Sequence, residues 1–178
     1  MDENEIKNII ESLIDTFLIA GDVSIQLRNE GLQKEIKSDN TPVSNGDLEV
    51  NKILTKKILK LTPDIPIVSE ETSHNKSKDD LKDFWLIDPI DGTYDYINNK
   101  EEFTLNAGLI LNRKAVAGLI NVPAKNRMFY SYGKNNSFEF TRNKKTKLDC
   151  KKLSPLNSVK VVSYLSLIHI SEPTRPGH

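Results

Sequence analysis

Glu70, Asp88 and Asp91 stand at the ends of two short apolar runs, where hard oxygen donors could gather a divalent cation and a phosphate. The run over residues 84–87 reads as a buried strand that ends at Asp88 and Pro89, because a proline cannot donate to a central ladder. Asp88 and Asp91 then flank a proline-stiffened turn. Asp91-Gly92-Thr93 leads into residues 94–98, long enough for one or two helical turns, whose free N–H groups favour an anion. Asp-Pro and Asp-Gly are common turn dipeptides and aspartates are ordinary caps, so this stretch alone would more often be a turn than a site. A second acidic strand end shifts that balance: the run over 65–68 closes on Ser69-Glu70-Glu71.

Taken together, Val68-Ser69-Glu70-Glu71, Trp85-Leu86-Ile87-Asp88-Pro89-Ile90-Asp91-Gly92-Thr93 and Glu102-Phe103-Thr104-Leu105-Asn106 resemble the first signature of the inositol monophosphatase superfamily, metal-dependent and lithium-sensitive phosphatases. Within it, Lys37-Ser38-Asp39-Asn40-Thr41-Pro42-Val43-Ser44 with Asp47, and residues 63–71, are most similar to the 3′(2′),5′-bisphosphate nucleotidase branch. The resemblance runs from the first helix to Val162. It implies two or more Mg²⁺ ions, with Asp88 bridging them, Glu70 and the Ile90 carbonyl completing one shell, and Asp91 holding another ion. It also implies that Thr93, with Glu70, orients the attacking water, that Asp47 supports the metal site from behind, and that phosphate approaches the N–H groups of Gly92 and Thr93. The implied substrate is a nucleoside bisphosphate, 3′-phosphoadenosine 5′-phosphate, yielding AMP and phosphate. Inositol or another sugar phosphate is the alternative, and a non-catalytic metal-binding or dimer-forming fragment is the alternative of another class. A homodimer and peripheral attachment to the inner membrane are compatible with the resemblance.

The chemistry explains the residue types. A phosphomonoester repels nucleophiles with its own anionic oxygens, and its uncatalysed hydrolysis is among the slowest reactions enzymes handle. Mg²⁺ prefers oxygen ligands and keeps several waters, so a few carboxylates and a backbone carbonyl suffice to hold it. Two ions about 4 Å apart can activate the water and stabilise the leaving alkoxide. Gly92 lacks a Cβ and lets phosphate approach the backbone. Glu71, Tyr94, Asp95 and Tyr96 read as supporting, solvated or packing residues.

The chain has 178 residues, 37% of them hydrophobic and 28% charged, enough for one globular domain with a core. Its formal net charge is zero, so no global field attracts a nucleic-acid polymer or an anionic membrane, and an anionic substrate must be held locally. One cysteine, Cys150, excludes an internal disulfide and fits a reducing cytoplasm. Acidic residues open the chain where a secretory signal needs a basic start, and no apolar run approaches the ~20 residues of a membrane span. The reading is of a soluble, unexported protein.

These residues need elements to position them. Asp2 and Glu5 form a capping-box pattern, followed by Ile6, Ile9, Ile10, Leu13, Ile14, Phe17 and Leu18 at helical spacing, which predicts a helix to Leu27 or Asn29, ended by Gly31. Residues 35–37 read as extended and 40–42 as a loop. A second helix starts at Ser44, carries Leu48, Ile53, Leu54, Ile58 and Leu61, and stops before Pro63. Asp47, three residues after Ser44, fits a helix-capping acid as well as a site residue. Residues 74–83, with His74, read as a polar surface connection. From 103 onward, runs at 103–111, 115–122, 127–132, 137–140 and 146–149, separated by turns, predict an antiparallel meander. Lys144, Lys145, Lys147, Lys151 and Lys152 read as solvated, edge-protecting lysines.

The fold class expected is α+β: a layered α/β/α arrangement of the sugar-phosphatase type, two N-terminal helices on a mainly antiparallel sheet, with the second α/β half largely missing. Residues 1–163 would form the metal- and phosphate-binding domain, including a further strand at 158–163. Residues 164–178, with His169 and His178, read as an appended adaptor- or vector-derived tail. The family's second signature, a Trp-Asp-x-Ala-Ala-Gly-like segment, has no counterpart, and a broad apolar face left open would make the chain poorly soluble.

Overall fold

The computed structural model describes residues 1–36, 42–71, 81–141 and 144–149. Helix α1 (Glu3–Glu30) opens on the expected capping box, in which Glu5 N–H donates to Asp2 Oδ1 at 2.8 Å and Asp2 N–H donates to Glu5 Oε2 at 2.7 Å. Its apolar stripe, Ile6, Ile10, Leu13 and Phe17, is buried, and Gly31 at φ +101° ends it. Strands β1 (Lys34–Ile36) and β2 (Pro42–Ser44) pair antiparallel. Pro42, expected in a loop, is thus a strand residue; this ribbon has only two strands, so a residue without an N–H is tolerated at its end.

Helix α2 (Asn45–Leu61) begins after Ser44 and buries Val50, Leu54 and Ile58 completely. Leu48, expected on the core stripe, is 53% exposed, because the face turned inward at the helix start carries Gly46, Asp47 and Asn51. Strand β3 (Ile67–Ser69) runs parallel to β4 (Phe84–Asp91). From β4 the chain meanders antiparallel through β5 (Thr104–Leu111), β6 (Lys114–Val122), β7 (Arg127–Tyr132), β8 (Ser137–Thr141) and β9 (Lys144–Lys147), giving one seven-stranded sheet in chain order. The β5–β6 turn needs only Asn112 and Arg113, at φ +50° and +61°, the left-handed pair that suits a tight hairpin. Strand β9 lies two residues earlier than expected.

Strand β4 corrects the reading of the Asp-Pro turn. It does not end at Asp88 but continues to Asp91 across a β-bulge. Trp85 N–H donates to the Pro66 carbonyl and Ile87 accepts from Glu70 N–H, so positions 85, 87 and 89 face β3. Strand β3 has ended by Ser69, and the donor missing from Pro89 has no ladder partner to disappoint.

Helices α1 and α2 cover one face of the sheet, enclosing Trp85, Ile87, Leu105, Leu109, Leu119 and Met128. The described residues therefore make two layers, and the third layer of an α/β/α stack is not among them. On the uncovered face Leu86 and Ile120 are 43% and 46% exposed. Lys145 is less solvated than expected: it pairs with Glu11 at 2.8 Å and lies 4.2 Å over the Phe138 ring. No helix among the described residues is long and apolar enough to cross a membrane. Residues 37–41 of the bisphosphate-nucleotidase-like motif, the connection with His74, Cys150, Lys151, Lys152, the strand expected at 158–163 and the tail 164–178 with His169 and His178 lie outside the described residues.

Candidate metal and phosphate site

The parallel pairing of β3 and β4 brings the two acidic strand ends together. Ser69 is in register with Ile87, and Glu70 N–H donates to the Ile87 carbonyl at 3.2 Å, so Glu70 follows β3 exactly where Asp88 follows on β4. The carboxyls of Glu70 and Asp88 are hydrogen-bonded. Burial, then the charges of Glu70 and Asp91 and that hydrogen bond, with a smaller effect of Asp47, push the Asp88 carboxyl up to about 7. Asp88 Oδ1 is buried and has no hydrogen-bond partner among the described residues.

The bulge sets Asp91. Asp88 pairs with Asn106, yet Asp91 pairs with Thr104, so one more residue is accommodated on β4 than on β5. Asp91 emerges exposed, and Asn106 Nδ2 donates to its Oδ2 at 3.2 Å. Gly92 follows at φ +89°, where a Cβ would lie 2.7 Å from the Glu102 carbonyl oxygen, so both conformation and space require glycine. Helix α3 (Thr93–Ile97) is a single short turn and a half.

Thr93 connects this corner to α2. Its hydroxyl lies 3.1 Å from Asp47 Oδ1 and 2.9 Å from the Ile90 carbonyl oxygen, two acceptors for one proton. Asp47 is 1% exposed, and its Oδ2 accepts from Ser44 N–H at 2.8 Å and Ser44 Oγ at 2.6 Å. Helix cap and partner of Thr93 are therefore one carboxylate. Behind it, the Tyr96 hydroxyl donates to the Ser24 carbonyl at 2.7 Å and packs against Gly46; burial and the nearby Asp47 charge raise its pKa. Ser69 Oγ donates to buried Asn51 Oδ1 at 2.6 Å, tying the end of β3 to α2. Tyr94, expected to pack, is 65% exposed, whereas Tyr96 is fully buried. Tyr96 packs as expected, but the sequence pattern pointed neither to Asn51 nor to the Ser24 carbonyl as the partner of Tyr96; the partners lie 18 and 72 residues away.

Among the described residues, no three acidic, histidine or cysteine side chains converge closely enough as they stand to enclose one cation. The donor set nonetheless fits Mg²⁺, which takes one or two carboxylates and completes its shell with water. Asp88 and Glu70 press together, with an orphaned buried oxygen on Asp88, and a cation would relieve both conditions.

The profile of the inositol monophosphatase family matches residues 5–175. The chain is 36% identical over 108 residues to the 3′(2′),5′-bisphosphate nucleotidase CysQ of Haemophilus influenzae, covering 60% of this chain and 40% of that one. It is 33% identical over 113 residues to the CysQ of Escherichia coli K12, covering 62% and 46%. The chain thus spans less than half the length of these curated relatives. A staphylococcal inositol monophosphatase soaked in LiCl superposes with a TM-score of 0.66 at 18% identity over 78% of this chain and 52% of that one. The CysQ of Bacteroides thetaiotaomicron superposes with a TM-score of 0.56 at 22% identity over 83% and 53%. These likenesses show a shared fold. From the matched profile and the motifs assembled around Asp88, the chain belongs to the inositol monophosphatase family.

Proposed function

We propose that this chain carries the catalytic corner of a Mg²⁺-dependent phosphomonoesterase acting on a nucleoside bisphosphate, removing the 3′-phosphate of 3′-phosphoadenosine 5′-phosphate to leave AMP. The observation that carries the proposal is the parallel register of β3 and β4, which sets Glu70 beside Asp88 with Asp91 and Asp47 nearby and so gathers hard oxygen donors where a divalent cation would be held. Residues 1–163 are the working domain in this reading.

Glu70, Asp88, the Ile90 carbonyl and Asp91 would hold two or more Mg²⁺ ions. Bound there, the metal would neutralise phosphate charge, lower the pKa of the attacking water and stabilise the leaving oxygen. The remaining work falls to the protein. Thr93, donating to Asp47, would keep lone pairs free to accept a hydrogen bond from water, and Glu70 would help orient that water and take up its proton. Asp47, buried and held by Ser44, fixes the direction of the Thr93 hydroxyl. Gly92 leaves the backbone bare, so phosphate can approach the N–H groups of Gly92 and Thr93.

The relatives named as bisphosphate nucleotidases favour the nucleotide as substrate, and the fold shared with an inositol monophosphatase supplies the competing one. A direct assay separates them: phosphate release from 3′-phosphoadenosine 5′-phosphate and from inositol 1-phosphate, with Mg²⁺ and then with added Li⁺. The proposal expects nucleotide turnover that needs Mg²⁺ and is suppressed by Li⁺. Turnover of inositol 1-phosphate alone reassigns the substrate, and release from neither leaves a non-catalytic metal-binding or dimer-forming piece.

A further inference from the structure

Asn106 stands directly across the β4–β5 pair from Asp88, on the uncovered face of the sheet. Its amide nitrogen donates to Asp91 Oδ2 at 3.2 Å, and that bond fixes which way the amide lies, since its oxygen would be repelled by the carboxylate. The side-chain oxygen is therefore directed elsewhere. There it is buried and without a partner among the described residues, as is Oδ1 of Asp88. Both residues line one cavity of about 720 Å³, whose nearby walls, Leu86, Ala107 and Gly108, offer no polar side chain. An ionised carboxylate and an amide oxygen are both acceptors and cannot satisfy each other. Buried polar atoms without partners are rare enough to need a cause, and two acceptors are served at once by a water or by a cation with the water it carries; the carboxylates of Glu70 and Asp91 beside them favour the cation.

We propose that Asn106 is a positioning residue of the cation site: its amide N–H holds the Asp91 carboxylate in place, and its side-chain oxygen, with Oδ1 of Asp88, serves a hydrated divalent cation. This rests on the metal-dependent reading above and adds to it a neutral residue with both functions. Asparagine is suited because it is donor and acceptor in one group, at no cost in added negative charge. Aspartate keeps only the acceptor, and leucine keeps neither.

The test is Mn²⁺ binding to the purified 178-residue chain, read by electron paramagnetic resonance, together with thermal melting with and without Mn²⁺. The parent chain is expected to bind Mn²⁺ and N106L to bind it about tenfold to a hundredfold more weakly, the usual effect of removing a group that supports a metal ligand. Without cation, N106L is expected to melt no lower than the parent, because it removes an unsatisfied buried oxygen. N106D adds a third carboxylate beside Asp88 and Asp91, so its cation-free form melts lower and its melting point rises more on adding Mn²⁺ than the parent's does. Parent-like Mn²⁺ affinity in N106L overturns the assignment of Asn106 alone. Should N106L fail to fold, a Mn²⁺-induced rise in N106D no larger than the parent's overturns it instead. A folded parent that binds no Mn²⁺ overturns the metal-dependent reading itself and this assignment with it.

Discussion

At the scale of single residues, Asp88 is the group whose charge is most exposed to conflict. Its carboxyl titrates near 7 when folded against an ordinary 3.8, so between those values the folded chain holds a proton that the unfolded chain has released. The stability this contributes is complete below about pH 4 and is lost as the pH rises through 7. The cation-free chain is therefore expected to melt at progressively lower temperature from pH 4 to pH 7, and D88N to flatten that dependence, as a calorimetric pH series would show. Removing a group that merely supports a metal ligand costs about tenfold to a hundredfold, so D88N should lower kcat/KM by more than about a hundredfold. Thr93 tests the water-orienting step separately. T93V should lower kcat about a hundredfold or more while T93S retains most of it, since only the hydroxyl reaches Asp47. Steady-state kinetics at saturating Mg²⁺ distinguish the two.

Elements decide how these residues meet. A five-residue helix and a three-residue strand have little stability of their own, and they are held by α2 and α1. Tyr96 reaches from α3 to the Ser24 carbonyl on α1 and fills the space left by Gly46 on α2. Tyr96 is fully buried and cannot swing aside, so a methyl group at position 46 must displace it. G46A is expected to destabilise the fold by about 1–3 kcal/mol, the usual range for overpacking, and to loosen the Thr93–Asp47 contact. Denaturant unfolding measures the first effect, and a fall in kcat larger than any change in KM reports the second. Much of this level was legible in the sequence: both long helices, the capping boxes and the order of the meander follow from spacing and caps. The path of β4 was not, because Pro89 reads locally as a strand end, and only the early termination of β3 makes it harmless.

For the molecule as a whole, the two faces of the sheet differ. One is sealed by α1 and α2, and the other presents Leu86, Ile120 and Phe129 around an open cavity. An apolar surface of this kind promotes self-association. The chain is expected to associate at micromolar concentration, and L86K with I120K to shift it toward a monodisperse species in light scattering without lowering its melting temperature, since both side chains are already partly solvated. A parent chain that is monodisperse under the same conditions contradicts this.

The sequence by itself determined the family, the α+β class, the helix boundaries and the acidic residues, because these follow from local spacing, caps and motif chemistry within short stretches of chain. Tertiary structure alone decided that Glu70 lies against Asp88, that one carboxylate both caps α2 and binds Thr93, and that Asn106 faces Asp88 with an unsatisfied oxygen. Glu70 meets Asp88 and Asp88 meets Asn106 across 18 positions, and Asp47 meets Thr93 across 46; these meetings are set by strand pairing and helix packing, and nothing in a local pattern specifies which distant partner a side chain will meet.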